Sequence, residues 1–307
     1  MKIFLCPDKF KGSASSSEVI DAIARGITSV LPEAEIRSSA ISDGGDGFAQ
    51  IASRHLEGTW VEMDSIDALH RPIKTSYFLS DGIAYIDMAL TNGLVQIAPA
   101  NINPMLSSTL GTGKIIRHAA EVSKVKQIII GLGGSATNDG GAGMASALGV
   151  RFLDASGNEL LPFPAELIHC SSIDQSERIP LPSIIAACDV SNPLLGENGA
   201  TAIYGPQKGV SAIEDFEAIL AQLMVIDNGQ ADAQVPGSGA AGGIAYGLLH
   251  YASASLESGF SIVADIIHLE EEIDAADIII TGEGSLDAQT LNAVSYTHLT
   301  LPTTSRV

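Results

Sequence analysis

The residues with the types and spacing for chemistry are densest in positions 126–148, KQIIIGLGGSATNDGGAGMASAL. The apolar run Ile128, Ile129, Ile130 reads as a buried strand. Gly131, Gly133, Gly134, Gly140, Gly141 and Gly143 follow, interleaved with Ser135, Thr137, Asn138 and Asp139, and residues 144–148 read as helix. Glycine supplies left-handed backbone and close approach to a ligand. The first N–H groups of a helix lack intrahelical partners and carry partial positive charge. Strand, loop and helix start together predict a site for a phosphate or a carboxylate. Ser135, Thr137 and Asn138 would add donors, and Asp139 would cap the helix or hold a metal. The plainer alternative is a tight turn with an N-cap. Gly131-x-Gly133-x-x-Ala136 also fits the dinucleotide fingerprint, with Asp154 at the end of a strand-like VRFLD, although the polar loop runs on past the point where that helix should begin.

Other positions carry charge at strand ends. Asp8, Lys9, Lys11 and Ser13 follow the apolar opening Lys2-Ile3-Phe4-Leu5-Cys6, where a parallel sheet would place a ligand. The chain holds only 16 Lys and Arg, so two lysines beside Gly12-Ser13 suggest a site rather than a solvated loop. Asp43 and Asp46, three apart in Ser42-Asp43-Gly44-Gly45-Asp46-Gly47, could hold magnesium or a substrate hydroxyl, or equally form a turn with an Asp cap. Asp189 and Asn192 end the apolar run 183–188. Gln207 and Lys208 lie in Tyr204-Gly205-Pro206-Gln207-Lys208-Gly209. Glu283 and Asp287 follow the apolar run that ends at Thr281. Gly111-Thr112-Gly113-Lys114 precedes a helix but lacks the spacing of a Walker A loop.

The elements that must position these residues follow from periodicity. A strand at 2–6, a helix at 18–31 with caps among Ser15, Ser16 and Ser17, and a strand at 35–38 open a parallel sheet. Residues 60–63, 73–79 and 83–88 read as an antiparallel meander with an Asp81-Gly82 turn, so a second architecture is expected to begin there. A helix at 215–223, a small-residue turn at 236–243 leading into helix to about 251, and a strand at 277–281 complete the pattern. The first sheet is expected to resume near residue 276.

Composition narrows the class. With 46% hydrophobic residues and 31 glycines among 307, the chain suits a compact, loop-rich α/β enzyme. A formal net charge of −20 argues against nucleic acid and anionic membrane surfaces as partners. Cys6, Cys170 and Cys188 have no paired or metal-ligand spacing and read as reduced thiols. The opening residues do not read as a leader peptide, and no apolar stretch reaches the roughly 18 residues of a membrane span. A soluble, cytoplasmic protein is expected.

Seven motifs in unbroken order then resemble the type I glycerate kinases. They are Pro7-Asp8-Lys9-Phe10-Lys11-Gly12-Ser13, Ser42-Asp43-Gly44-Gly45-Asp46-Gly47, the central loop, Ala187-Cys188-Asp189-Val190-Ser191-Asn192-Pro193-Leu194, Tyr204 to Gly209, Pro236 to Gly243, and Thr281-Gly282-Glu283-Gly284-Ser285-Leu286-Asp287. The resemblance implies an ATP-dependent kinase that phosphorylates glycerate to phosphoglycerate, with ATP and Mg2+ as cofactors. It implies an α/β fold of two domains: a discontinuous flavodoxin-like parallel-sheet domain from 1–57 and 273–292, and an inserted mixed α/β, restriction-enzyme-like domain at 58–272. Where the family continues with Gly-Lys-x-Pro, this chain reads Val294-Ser295-Tyr296-Thr297-His298, similar to a translated sequencing adapter. Residues 293–307 are therefore expected to be an artefactual tail on a truncated gene.

Roles follow from the needs of phosphoryl transfer: positioning, charge neutralisation and a proton acceptor. Lys9 and Lys11 would bind an anionic group. The loop 133–139 would cradle another, with Ser135, Thr137 and Asn138 donating. Asp189 beside Asn192 would be general base or magnesium ligand, with Asp43, Asp46, Glu283 and Asp287 as competing carboxylates. Two other classes stay open. One is an NAD-dependent oxidoreductase using the fingerprint with Asp154; the other is a non-catalytic carboxylate-binding protein.

Overall fold

The computed structural model describes residues 1–7, 10, 13–42, 44–45 and 47–282. In chain order its elements are β1 (Lys2–Leu5), α1 (Ser16–Val30), β2 (Glu35–Ser38), α2 (Phe48–His55), β3 (Thr59–Ile66), β4 (Pro72–Ser80), β5 (Ile83–Asp87), α3 (Ala89–Asn92), α4 (Leu110–Glu121) and β6 (Gln127–Gly131). There follow α5 (Ala142–Ala147), β7 (Arg151–Leu153), α6 (Pro164–Leu167), β8 (Ser172–Asp174), β9 (Ser183–Ala187), α7 (Ala200–Tyr204), α8 (Ile213–Ile226) and α9 (Gln230–Ala233). The last are α10 (Ala240–Ala252), β10 (Ser255–Glu257), α11 (Gly259–Ile266), α12 (Leu269–Ala275) and β11 (Ile278–Ile280).

The opening folds as its periodicity predicts. Ser15 caps α1 in a capping box: its hydroxyl accepts from the Glu18 N–H, and the Glu18 carboxylate accepts from the Ser15 N–H at 2.8 Å. β1 lies parallel between β2 and β11, so the chain does return to its first sheet at residues 278–280.

The six-stranded sheet has the order β10-β9-β6-β5-β4-β3. β10, β9, β6 and β5 run parallel, while β4 and β3 continue as the antiparallel meander. The meander does open a second sheet, apart from the three-stranded one, and because β5 pairs in parallel with β6 it forms the edge of the sheet that carries the central loop. Asp81 and Gly82 both have positive φ in the β4–β5 turn, as the Asp-Gly pair requires.

Strand alternation splits the core between the two faces of this sheet. Ile128 and Ile130 face α4 and α10 with Tyr77, Ile86, Ile115, Ile116, Ile184 and Leu248. Ile129 faces the other way, with Phe78, Tyr85, Phe48 and Ile51 of α2, and Phe260 and Val263 of α11. Phe4 of β1 and Cys6, just beyond its end, join that second cluster, so one apolar layer runs from the three-stranded sheet onto the six-stranded one. A third cluster packs α8 and the β7–β8 ribbon against α10 through Phe152, Leu220, Tyr246 and Tyr251. None of the three cysteines forms a disulfide among the described residues, and burial pushes the Cys6 thiol up to about 12, where it is unreactive. Among the described residues no helix is long and apolar enough to cross a membrane.

Candidate active site

The pairing register sets Asp87 of β5, Gly131 of β6 and Ala187 of β9 level with one another at the carboxyl ends of parallel strands. Ligands of open α/β sheets gather beyond that edge. Two glycines show how tightly the neighbouring turns close on it. A Cβ on Gly131 would lie 2.4 Å from the Gly44 carbonyl oxygen and 3.0 Å from the Phe48 Cβ. A Cβ on Gly44, at φ +76°, would lie 2.7 Å from the Gly259 Cα. Gly44, the end of β9 and the start of α11 thus meet over the end of β6. Replacing Gly131 by alanine is expected to cost about 2–3 kcal/mol through overpacking. A urea denaturation midpoint unchanged from the unsubstituted chain would contradict this close approach.

The central loop is held from within. Asp139 is fully buried and its carboxylate accepts from the Thr109 N–H and hydroxyl, both at 2.8 Å, and from the N–H groups of Gly141 at 3.2 Å and Gly143 at 3.1 Å. Burial pushes its carboxyl pKa up, and these hydrogen bonds oppose the shift. Thr109 Oγ1 in turn accepts from the Met144 N–H at 2.8 Å. The start of α5 is therefore satisfied by protein groups, and α5 begins at Ala142, two residues earlier than expected. This corrects the expected anion site at that helix end: of the alternatives open for Asp139, capping is the one the structure takes.

Of the side chains expected to donate to an anion, Asn138 and Ser135 have partners of their own, whereas the buried Thr137 hydroxyl has none among the described residues. Asn138 Nδ2 donates to Thr201 Oγ1 at 2.8 Å, and Thr137 is fully buried. Ser135 Oγ accepts from Lys208 Nζ at 2.6 Å, and Lys208 also donates to the Thr137 carbonyl at 2.8 Å. Lys208 is only 2% exposed, so it lies beneath the loop rather than on a ligand surface. The reachable part is the backbone of Gly133 and Gly134, half-buried and exposed respectively. The N–H groups of Gly133, Gly134 and Ser135 have no acceptor among the described residues. Such consecutive N–H groups, with Gly134 left-handed at φ +61°, form a concavity suited to an anion.

Asp189 stands two residues beyond β9, at the start of α11. Its Oδ1 accepts from the Ser258 hydroxyl at 2.7 Å and its Oδ2 from the Phe260 N–H at 2.8 Å. Ser258 is itself the N-cap of α11, accepting from the Ser261 N–H. Both donors suit the ionised carboxylate. Asn192 is turned elsewhere, bridging the Asn198 carbonyl and the Tyr204 hydroxyl at 2.8 and 2.7 Å. Gln207 is exposed, and Ser13 is exposed in a turn where its N–H donates to the Phe10 carbonyl. Asp8, Lys9, Lys11, Asp43, Asp46, Glu283 and Asp287 lie outside the described residues.

Sequence reasoning missed Asp87 and Asn92. Asp87 is 5% exposed, and its Oδ2 accepts from the Gly47 N–H at 2.5 Å, tying the 42–47 turn to the sheet edge. It also lines a cleft of about 500 Å3 between α2 and the meander, with Gln50, Trp60, Ser76 and Gln96. A carboxylate ending a buried strand was its one sequence signal. Asn92 is fully buried; its side chain accepts from the Thr112 N–H at 3.2 Å and donates to the Ser108 carbonyl at 2.6 Å, while its own carbonyl accepts from the Ala136 N–H. It pins the central loop to α4, and nothing in its sequence neighbourhood marks it.

The dinucleotide reading is not supported. The helix after β6 is capped at Gly141, well past the fingerprint, and Ala136 is buried beside Ala68 and Ile97. Asp154, expected to meet a ribose, spends Oδ1 on the Ser156 and Asn158 N–H groups and Oδ2 on Asn158 Nδ2 within its own turn.

Comparison with known proteins agrees with the motifs. A sequence model described as the glycerate kinase family matches residues 3–298. Glycerate kinase of Bacillus subtilis (strain 168) is 40% identical over 302 residues, covering 95% of this chain and 79% of that protein. Glycerate 2-kinase of Escherichia coli (strain K12) is 38% identical over 306 residues, again 95% and 79%. A crystal structure described as a glycerate kinase 2 from Salmonella typhimurium LT2 superposes with a TM-score of 0.80 at 39% identity, over 95% of this chain and 80% of that one. With a family match over nearly its whole length, relatives near 40% identity and the same mixed α/β fold, the chain belongs to the glycerate kinase family.

Proposed function

We infer that the chain is a glycerate kinase, transferring the γ-phosphoryl group of ATP to a hydroxyl of glycerate to give phosphoglycerate and ADP. The observation that carries this is the unbroken family match across 3–298 together with relatives named glycerate kinase. The site supports it in kind. An anion-accepting backbone at Gly133, Gly134 and Ser135 lies beyond β6, and the carboxylate of Asp189 lies beyond β9, the neighbouring strand. In the transfer the glycerate hydroxyl oxygen bonds to the γ-phosphorus as the bond to ADP breaks, and Asp189 takes the hydroxyl proton. Lys9 and Lys11 would neutralise the other anionic group, with Asp43, Asp46, Glu283 and Asp287 as further carboxylates around it.

Mg2+ belongs to this reading as the ion carried on the nucleotide phosphates. Among the described residues no cluster of three His, Cys, Asp or Glu side chains could cage a metal. Magnesium in kinases keeps several waters and takes only one or two protein carboxylates, a role that falls to Asp43, Asp46, Glu283 or Asp287 where Asp189 serves as the base. The two-unit division of 1–57 with 273–292 against 58–272, and a cytoplasmic setting, complete the proposal.

The test is ADP release by the purified chain, with and without glycerate. Glycerate-dependent release is the expected result. Binding of NAD without ATP would favour an oxidoreductase, and glycerate binding without turnover would favour a carboxylate-binding protein.

A further inference from the structure

We propose that Lys208 is the positioning residue of the anion site, acting through the Ser135 hydroxyl, which it orients to donate to the bound carboxylate or phosphate. The proposal rests on the anion site inferred at Gly133–Ser135 and names the charge that stands behind it. An ammonium group donates and never accepts, so in the 2.6 Å contact the Ser135 oxygen is the acceptor. The Ser135 hydrogen must then point elsewhere, and none of the described residues accepts it. It lies beside the N–H groups of Gly133 and Gly134, which also lack acceptors. A hydroxyl that accepts from a cation is polarised and becomes a stronger donor.

The surroundings of the ammonium argue that it is there for its charge. Burying a cation is costly unless something neutralises it. The carboxylate within electrostatic reach is Asp139, but its oxygens are committed to Thr109, Gly141 and Gly143, and it makes no ion pair with Lys208. The backbone of Ala241, Gly242 and Gly243 closes the remaining side through three consecutive positive-φ residues. A Cβ on Gly242 would lie 1.9 Å from the Thr137 carbonyl oxygen and 2.9 Å from Lys208 Nζ. A fastening role alone would be met by a neutral donor. An anion on the loop above supplies the missing counter-charge.

Burial brings the Lys208 ammonium down to about 7, with Asp139 opposing the shift. The titratable group that acts on it is Asp139 from the loop; the segment Ala241, Gly242, Gly243 brings none. A bound anion favours the charged ammonium, so affinity is full below about pH 7 and falls as pH rises above it.

Calorimetric titration of the whole chain with glycerate, and separately with ATP, tests this. Ser135→Ala and Lys208→Met should each weaken one of the two ligands by about tenfold at pH 7. The double variant should be no weaker than Lys208→Met, because the lysine acts through the serine. The unsubstituted Kd should rise by up to about tenfold from pH 7 to pH 9, a range in which the glycerate carboxylate does not titrate and the terminal ATP phosphate only completes its ionisation, which would strengthen rather than weaken binding to a cation, and Lys208→Met should show no such rise. A response to glycerate only identifies a carboxylate site, and to ATP only a phosphate site. Ser135→Ala, which removes one oxygen, keeps the test open if Lys208→Met fails to fold. Unchanged affinities for both ligands in Ser135→Ala, or a pH-independent Kd in the unsubstituted chain, would overturn the proposal. Binding without ADP release would defeat the kinase reading while leaving this inference to the affinities, and failure to bind either ligand would defeat both.

Discussion

Asp139→Ala should lower the unfolding free energy by about 3–5 kcal/mol, the range seen when a buried charged network loses one partner. The carboxylate accepts four hydrogen bonds, from Thr109 N, Thr109 Oγ1, Gly141 N and Gly143 N. Alanine leaves buried donors with no acceptor, and each such loss costs about 1–3 kcal/mol. It also removes the carboxylate that steadies the buried Lys208 ammonium. Relaxation of the loop toward water reduces the sum, which is why the expected cost is below the total of the four losses. Asp139→Asn keeps the shape but turns an NH2 group toward N–H donors, so it should rescue little. Urea denaturation followed by circular dichroism reads the effect; an Asp139→Ala variant within about 1 kcal/mol of the unsubstituted chain would show that water replaces the carboxylate and that the loop does not depend on it.

Asp189→Asn should lower kcat for glycerate-dependent ADP release by about a hundredfold or more, the contribution expected of a general base. The same variant should barely move stability. Asparagine can keep its carbonyl oxygen on the Phe260 N–H and turn its NH2 toward Ser258 Oγ, a hydroxyl able to accept as well as donate. Loss of turnover with an unchanged melting temperature therefore separates chemistry from folding. Ser258→Ala is the companion: it frees one oxygen of Asp189 without touching its charge, so its effect on kcat should be the smaller. Near-normal turnover by Asp189→Asn would remove the base assignment and return the role to the carboxylates at Asp43, Asp46, Glu283 or Asp287.

The two residues also show why the sequence reading of the site was uneven. Asp139 was legible as a polar residue before a helix, with capping and metal binding both open. Its main partner, Thr109, stands thirty positions earlier in the chain, and no local pattern connects them. Asp189 was legible as the polar end of an apolar run. Its fixing by Ser258 and Phe260 depends on β10 delivering the start of α11 beside β9, a pairing made in space. Lys208 was legible only as a candidate cation for substrate or phosphate in the Tyr204–Gly209 motif; its burial, and its two acceptors on the central loop 71 and 73 positions away, come from packing in space.

By itself the sequence determined the elements whose cause is local. The apolar run at 128–130 made a buried strand, Ser15 and Glu18 made a helix start, and Asp81-Gly82 made a hairpin turn, because propensity, capping and turn chemistry act within a few residues. The order of seven motifs also determined the family. Only the tertiary structure decided that the meander shares a sheet with the central loop, that the start of α5 is filled by Asp139 and Thr109, and that Ser135 takes its hydrogen bond from a lysine 73 positions away. Those outcomes follow from which donors and acceptors meet when distant segments pack, and burial decides them through the cost of leaving any such group unpaired.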